Sequence, residues 1–474
     1  MLRVRADQVE MLWDELLPSG ARELPADLAQ LDTLLADSAL LGPFRAHFAA
    51  EAQTRTADLL GRGRPTISMA TYLRLMVVKH RTGWGYESLM REVSDSLHLR
   101  RFCLIPLSAP VPDESTVRKL TRRLGPELTD ELIRGLIGTA LRERRFHPRA
   151  LRADSTVVAA DIRYPTDAGL AADAVRVLAR VGRQVRAAVP AVRERVRDRS
   201  RAVGRRLRAL GRSLKRRTGE AQQEVQRLTE EAAEQVRASA REARQLLAAA
   251  KRSRSRAPGI SPAGRRRALQ ALQVAVTAAE RVVAQVRQRF AGERIPDRLV
   301  SLFDRDARPV RRGKRAQPTE FGYVVQITEV TTSTRRGAPA LVLPPKLAAG
   351  STHENTLLPE SVAELSRLGI RIGEAVFDGG FVRARTEEVL APVGNPTVFI
   401  AGSRENAGSR RTRRRRARFR VGCEGRISHL KRSYGAGRAR LKGVDGARIW
   451  EGWATFAYDL DAVRRLPLRR TAAS

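Results

Sequence analysis

Apolar residues recur at helical spacing through the first third of the chain, then change period. In "ADLAQLDTLLADSALLGPFRAHFAAEA" they mix with acids, and residues 1–59 are expected to be helical. The segment that follows places Tyr72, Leu73, Leu75, Met76 and Val77 in a buried helix, which Gly83 and Gly85 break. A second helix is predicted from about Tyr86. "VPDESTVRKLTRRLG" opens another, with Pro112, Asp113 and Glu114 in the first turn, where the helix dipole favours acids. Residues 60–145 therefore form a compact all-helical region. Helix pairs of this kind occur both as DNA-binding units and as plain bundles.

From Arg149 the pattern becomes short and β-branched. "RALRADSTVVAADIRY" reads as a strand followed by a turn. Similar segments return only after residue 300, in "RLVSLFDRDAR", "FGYVVQITEV", "ALVLPPKL", "IGEAVFDGGF" and "NPTVFIAGS", with helical stretches such as "LLPESVAELSRLG" between them. This is the signature of a mixed α/β domain, formed by 146–167 together with 298–474. The intervening residues 168–297 are different. Leu178, Val181, Val185, Val189, Val192 and Val196 recur at spacings of three and four, as do Val203, Leu207, Leu210 and Leu214, then Val225, Leu228, Ala232 and Val236. Arginine, glutamate and glutamine flank them, giving a coiled-coil-like seam. Pro190, Gly204 and Gly219 are candidate bends, and "SRSRAPGISPAGRRR" is a turn before a further helix from about Ala263 to Arg289. An inserted antiparallel helical hairpin is the simplest arrangement, either a structural strut or an arginine-rich arm that touches DNA.

Charge narrows the partners. The formal net charge is +38 on 474 residues. Such a surplus repels itself unless a polyanion neutralises it, so nucleic acid is the default partner. A membrane is the weaker expectation, because the chain holds no apolar run of ~20 residues. The opening "MLRVRADQVEMLWDELL" carries acids in a helical pattern and does not read as a signal peptide. The cysteines, Cys103 and Cys423, offer neither a disulfide framework nor zinc spacing, and the six histidines are scattered. These features point to a reduced, cytoplasmic, nucleic-acid-facing protein.

Three acids stand out by position. Asp154 follows the apolar strand start "RALRA", Asp378 follows "EAVF" and precedes two glycines, and Glu424 falls in a helical stretch whose buried stripe would be Ile427, Leu430 and Tyr434. Strand-end carboxylates and one helical carboxylate can converge on a small hard cation that prefers oxygen ligands. Each acid alone has an ordinary explanation: an Asx turn or cap at "DST", a plain turn at "DGG", and an ion pair between Glu424 and Arg420 or Lys431.

Together, "LRADSTVVAADIRYPTDAGL", "AVFDGGF" and "RFRVGCEGRISHLKRSYGAGRARLKG" resemble the catalytic segments of DDE transposases from bacterial insertion sequences. The nearest likeness is to the ISNCY type, whose helical N-terminal domain is similar to "GRPTISMATYLRLMVVKHRTGWGYESLMREVSDSLHLRRF…VPDESTVRKLTRRLG"; "RRGKRAQPTEFGYVVQITE" resembles the segment before the second aspartate. The resemblance implies a ribonuclease H-like α/β catalytic domain, with 60–145 recognising DNA ends. It implies Asp154, Asp378 and Glu424 as ligands of two Mg²⁺ or Mn²⁺ ions. It also implies a tyrosine-arginine-glutamate-lysine signature, met by Arg420, Glu424 and Lys431 but not at Ala417, where the signature has tyrosine; Phe419 is close but out of register. Arg420, Arg426, Lys431 and Arg432 would then contact DNA phosphates.

The implied activity is metal-assisted hydrolysis at the element end, followed by attack of the freed 3′-hydroxyl on target DNA. The partners are double-stranded DNA, both terminal inverted repeats and target, bound by a homodimer or higher oligomer. Two alternatives stand beside it: a DNA-binding protein without catalysis (a decayed transposase or a coiled-coil DNA bundler), and an RNase H-like nuclease that cuts without joining.

Overall fold

The computed structural model describes residues 18, 20, 23–54, 66–143, 145–216, 218–311 and 319–467. The remainder of the expected 1–59 helical segment, the start of the 60–145 region and the run 312–318 lie outside the described residues. Along the chain run helices α1 (Ala26–Leu35), α2 (Gly42–Thr54), α3 (Met69–Thr82), α4 (Tyr86–Asp95), α5 (Leu97–Phe102) and α6 (Glu114–Arg142), then strand β1 (Ala150–Ala160). Helices α7 (Asp167–Ala188), α8 (Ser200–Ser213), α9 (Gly219–Arg252) and α10 (Pro262–Phe290) follow. Next come β2 (Arg308–Arg311), β3 (Thr319–Thr331), β4 (Ala340–Val342), β5 (Lys346–Ala349), α11 (Glu354–Arg367), β6 (Glu374–Phe377), α12 (Arg383–Leu390), β7 (Thr397–Ile400), α13 (Arg410–Ser433), β8 (Arg438–Ala439) and α14 (Val444–Arg464). The chain divides into two compact units, Met1–Asp161 with Gly322–Ser474, and Ile162–Phe321.

The first unit is built on a mixed sheet with flanking helices. β1 lies antiparallel to β3 on one side and parallel to β6 on the other, and β7 continues parallel beyond β6. β4 and β5 pair antiparallel with parts of β3, and β8 runs parallel to the end of β1. β1 is buried along nearly its whole length, as expected for a strand rich in valine and alanine with a neighbour on each edge; Asp154 is one of its two less-buried positions. The expected strand at 298–308 does not form. There the Ser301 hydroxyl accepts from the amides of Phe303 and Asp304, which turns the backbone away from an extended path.

The helices preceding β1 follow the sequence expectation locally. Ser68 caps α3, Gly83 ends it in the left-handed region (φ 73°), and Asp113 caps α6 by accepting from Ser115. They do not close a core by themselves. α14 packs against α1, α3 and α6 and also against β4 and β5. Trp453 of α14 meets Tyr72 edge-on at 5.7 Å, and Asp459 accepts from the Val342 amide. The all-helical region and the α/β region thus share one core through a C-terminal helix that is apolar on most sides.

In the second unit the structure replaces the expected hairpin with four helices. α7 ends before Pro190, which cannot continue a helix. Thr218 and Ser261 then start α9 and α10 by accepting amides in their first turns. α7, α9 and α10 pack on one another, with α8 laid on α7 and α9. The core alternates small and large side chains: Ala232, Ala240, Ala243 and Ala279 among Leu178, Val185, Leu246 and Leu272. Buried Asp167 joins Arg289 and Arg298 at 2.5 and 2.7 Å, tying the start of α7 to the end of α10.

Where α14 crosses α6, Gly452 leaves no room for a side chain. A Cβ there would overlap the Thr129 hydroxyl. Gly452→Ala should therefore destabilise the chain by roughly 1–3 kcal/mol despite the better helix propensity of alanine. Thr129→Ser in the same background should restore little, because the Thr129 hydroxyl and Cβ both obstruct. Chemical denaturation of both variants checks this.

Candidate active site

Adjacent parallel strands bring the two aspartates to one level. Ala153 of β1 pairs with Phe377 of β6, and each is followed by an aspartate, Asp154 and Asp378. Asp378 follows the end of its strand as expected, whereas Asp154 lies inside β1, which continues to Ala160. Neighbouring strands lie about 4.8 Å apart, so the two acids begin as neighbours. Asp154 accepts from the Ser155 amide at 2.7 Å. Asp378 opens the loop after β6, and its side chain is 46% exposed.

α13 packs on these two strands and carries Glu424. One face of β1 presents Arg152, Asp154 and Thr156, because alternate strand residues share a face. Arg152 donates to the carbonyl of Phe419 at 2.6 Å, and Thr156 takes a 2.7 Å bond from Lys431, which also donates to the Val157 carbonyl. Asp154, between these ties, meets the middle of the helix: together with Glu329 it opposes ionisation of Cys423, whose thiol burial already pushes well up. Glu424 follows Cys423 and is 57% exposed.

A single guanidinium links the other two acids. One nitrogen of Arg420 lies 3.2 Å from Asp378 Oδ1 and 3.0 Å from Glu424 Oε1. The carboxylates of Asp378 and Glu424 are therefore brought together, with a cation between them. Among the described residues no group of three His, Cys, Asp or Glu side chains is gathered tightly enough to hold a metal ion. The donor set nevertheless suits a hard cation: two aspartates on adjacent strands and a helical glutamate, two of the three already sharing a positive group.

The basic residues expected to contact DNA divide in two. Arg432 is exposed, and Arg420 sits at the carboxylates. Lys431 is instead turned onto β1. Burial pushes the nearby Glu451 carboxyl up to about 8 against the pull of Lys431. Arg426 departs from the expectation altogether: it is bonded at 2.8 Å to the fully buried Glu329 and lies 4.4 Å over the ring of Tyr458. Its spacing of three from Cys423 and four from Leu430 puts it on the inner side with them. Within the arginine run of α13, Arg416 is likewise buried, holding Glu374 at 2.8 Å. Of the expected stripe, Leu430 and Tyr434 are buried and Ile427 is half-buried; Phe419 and Cys423 extend it towards the helix start.

Beneath the acids lies a buried network that motif reasoning missed. Arg152 contacts Glu329 at 2.5 Å, its cross-strand partner in the β1–β3 register, and stacks 4.5 Å from the ring of Phe419. Its fork occupies the space above Gly422, where a Cβ would overlap the guanidinium. The available signal was a charged residue inside each of two otherwise apolar strands, "ALRAD" and "QITEV", since charges are almost never fully buried unless paired.

Residues 14–123 match a family model described as Transposase domain (DUF772). The match covers a minor part of the chain, chiefly the helices preceding β1. It supports a transposase and does not reach the sheet that carries the carboxylates. No curated protein and no solved structure matches the chain. No helix among the described residues is long and apolar enough to cross a membrane.

The two glycines flanking the Cys423–Glu424 pair make opposite predictions. Gly422→Ala must displace an arginine already held by Glu329 and a backbone carbonyl, and is expected to cost roughly 1–3 kcal/mol. Gly425 has open space around its Cα, so Gly425→Ala should stabilise by up to about 1 kcal/mol through helix propensity alone. Thermal unfolding of both variants checks the contrast.

Proposed function

We propose that the chain is a DNA transposase of the DDE type, which binds element ends and carries out metal-dependent strand cleavage and strand transfer. The observation that carries this reading is the Ala153–Phe377 pairing, which sets Asp154 level with Asp378 on adjacent strands, under the helix that bears Glu424. The transposase-domain match over 14–123 supports it independently. A ribonuclease H-like fold is supported by the strand senses: an antiparallel β3, then β1, β6 and β7 all parallel.

In this reading Asp154, Asp378 and Glu424 hold Mg²⁺ or Mn²⁺. The ions would supply activation of the attacking hydroxyl and stabilisation of the leaving oxygen. The chain's own groups orient the substrate. Arg420 places a guanidinium beside two of the carboxylates, where it can pair with a phosphate bidentately. Exposed Arg411, Arg413, Arg414 and Arg418 on α13 add backbone contacts that position DNA without reading bases. Lys431 fixes the helix to β1, so that Glu424 keeps its place over the strands.

A DNA-binding protein without catalysis is the second reading. It is favoured by the Arg420 bridge, since an ion pair alone accounts for Asp378 and Glu424. Asp378→Asn separates the two. The transposase reading expects this variant to lose Mg²⁺-dependent cleavage of an end-containing duplex by at least about a hundredfold while its DNA affinity is unchanged or slightly raised, because an anion leaves a basic site. Cleavage at the parent's rate on a denaturing gel would leave the binding-only reading as the better account.

A further inference from the structure

The second unit carries a charged face that the proposed chemistry does not use. α8 runs Ser200–Ser213, and the segment from Arg199 to Gly219 contains no aspartate or glutamate. Arg201, Arg205, Arg208 and Arg212 follow one another at steps of four, three and four, which places them in a line along one side of the helix. All four are exposed. Arg206, off that line, is drawn to Glu231 at 2.8 Å, and Arg199 before the helix is held by Glu242 at 2.6 Å. None of the four in-line arginines has an ion pair among the described residues. On the neighbouring α9, exposed Arg227 and half-buried Arg237 are by contrast paired with Glu224, Glu231 and Glu234.

We infer that this face of α8 docks the phosphate backbone of double-stranded DNA. Four like charges in a row are unfavourable in isolation and call for a linear polyanion. The line spans about 16 Å, at ~1.5 Å per residue, which covers about five base pairs of one strand. Guanidinium groups suit phosphate oxygens, and such contacts carry no sequence information. An anionic membrane would also attract the charge, but it needs the apolar side of the helix. Along most of α8 that side is occupied: Val203 is buried and Leu207 packs against the core of the unit, and only Leu214 at the helix end is exposed. The unit would then hold DNA independently of sequence, adding affinity to whatever recognition the other unit provides. The inference rests on DNA being the partner in the function proposed above, and not on the chemistry at the carboxylates.

The test uses the full chain and a random-sequence duplex in a gel-shift series across salt concentration. Arg201→Gln, Arg205→Gln, Arg208→Gln and Arg212→Gln are combined in one variant. A control combines Arg183→Gln, Arg227→Gln, Arg237→Gln and Arg244→Gln, which removes the same charge from arginines that already have acidic partners. The slope of log affinity against log salt should fall by about three to four units in the first variant, at ~0.9 per phosphate contact, and by less than about one in the control. Circular dichroism of both variants confirms that the bundle is folded. Equal slopes in the two variants, or a first variant that matches the parent, would overturn the inference. So would binding of the parent to phosphatidylserine vesicles that the first variant loses while its DNA slope stays intact. Cleavage by the parent is read separately, so a chain that cuts DNA but keeps its slope defeats only this inference. A chain that loses its slope but never cuts defeats only the transposase chemistry.

Discussion

A buried guanidinium organises the candidate site. Arg152 stands inside the central strand, and its charge is met by Glu329 on the next strand and by the Phe419 carbonyl on α13. Removing one partner of a buried ion pair leaves an unpaired charge and costs about 3–5 kcal/mol, so the three elements are held in one arrangement. The consequences reach the acids directly. Arg152 lies two residues before Asp154 on the same strand face, and Gly422, which clears space for its fork, lies two residues before Glu424. Glu329 is shared with Arg426, so the helix is gripped on both sides of Glu424. Stability and site geometry thus depend on the same few contacts.

That arrangement also explains why the basic residues of α13 serve two purposes. Those facing the sheet, Arg416 and Arg426, neutralise half-buried Glu374 and buried Glu329, and Lys431 satisfies strand oxygens. Those facing outward keep their charge for a partner. Arg420 stands at the boundary, held by Asp378 and Glu424 at their exposed ends. These internal pairs cancel within the net charge of +38, so the surplus resides in the remaining basic residues.

Much of the fold was legible from periodicity. The strands at "RADSTVVAA", "FGYVVQITEV", "EAVF" and "TVFI" and the caps at Asp113 and Gly83 follow from β-branched runs and turn chemistry. Asp378 is visible in the sequence as an acid at a strand end, whereas Asp154 lies inside its strand, because β1 runs on to Ala160. The alignment of the two was not visible, since it depends on pairing between segments more than two hundred residues apart. The inward turn of Arg426 and Lys431 was hidden for a related reason: helical spacing gives a face, and only the packed sheet decides which face is inside. The four-helix second unit was read as a hairpin because its seam has one period throughout, while the breaks after Ala188 and Ser213 rest on local signals at Pro190 and Thr218. The sharing of one core between the first helices and α14 had no local signal at all.

The central claim is that Asp154, Asp378 and Glu424 form one cation site. Diffraction from crystals soaked in Mn²⁺, recorded at the manganese absorption edge, tests it most directly. The account predicts anomalous density between the three carboxylates, with the Arg420 guanidinium withdrawn from Asp378 and Glu424. Anomalous density elsewhere, or none together with an unmoved Arg420, would contradict it.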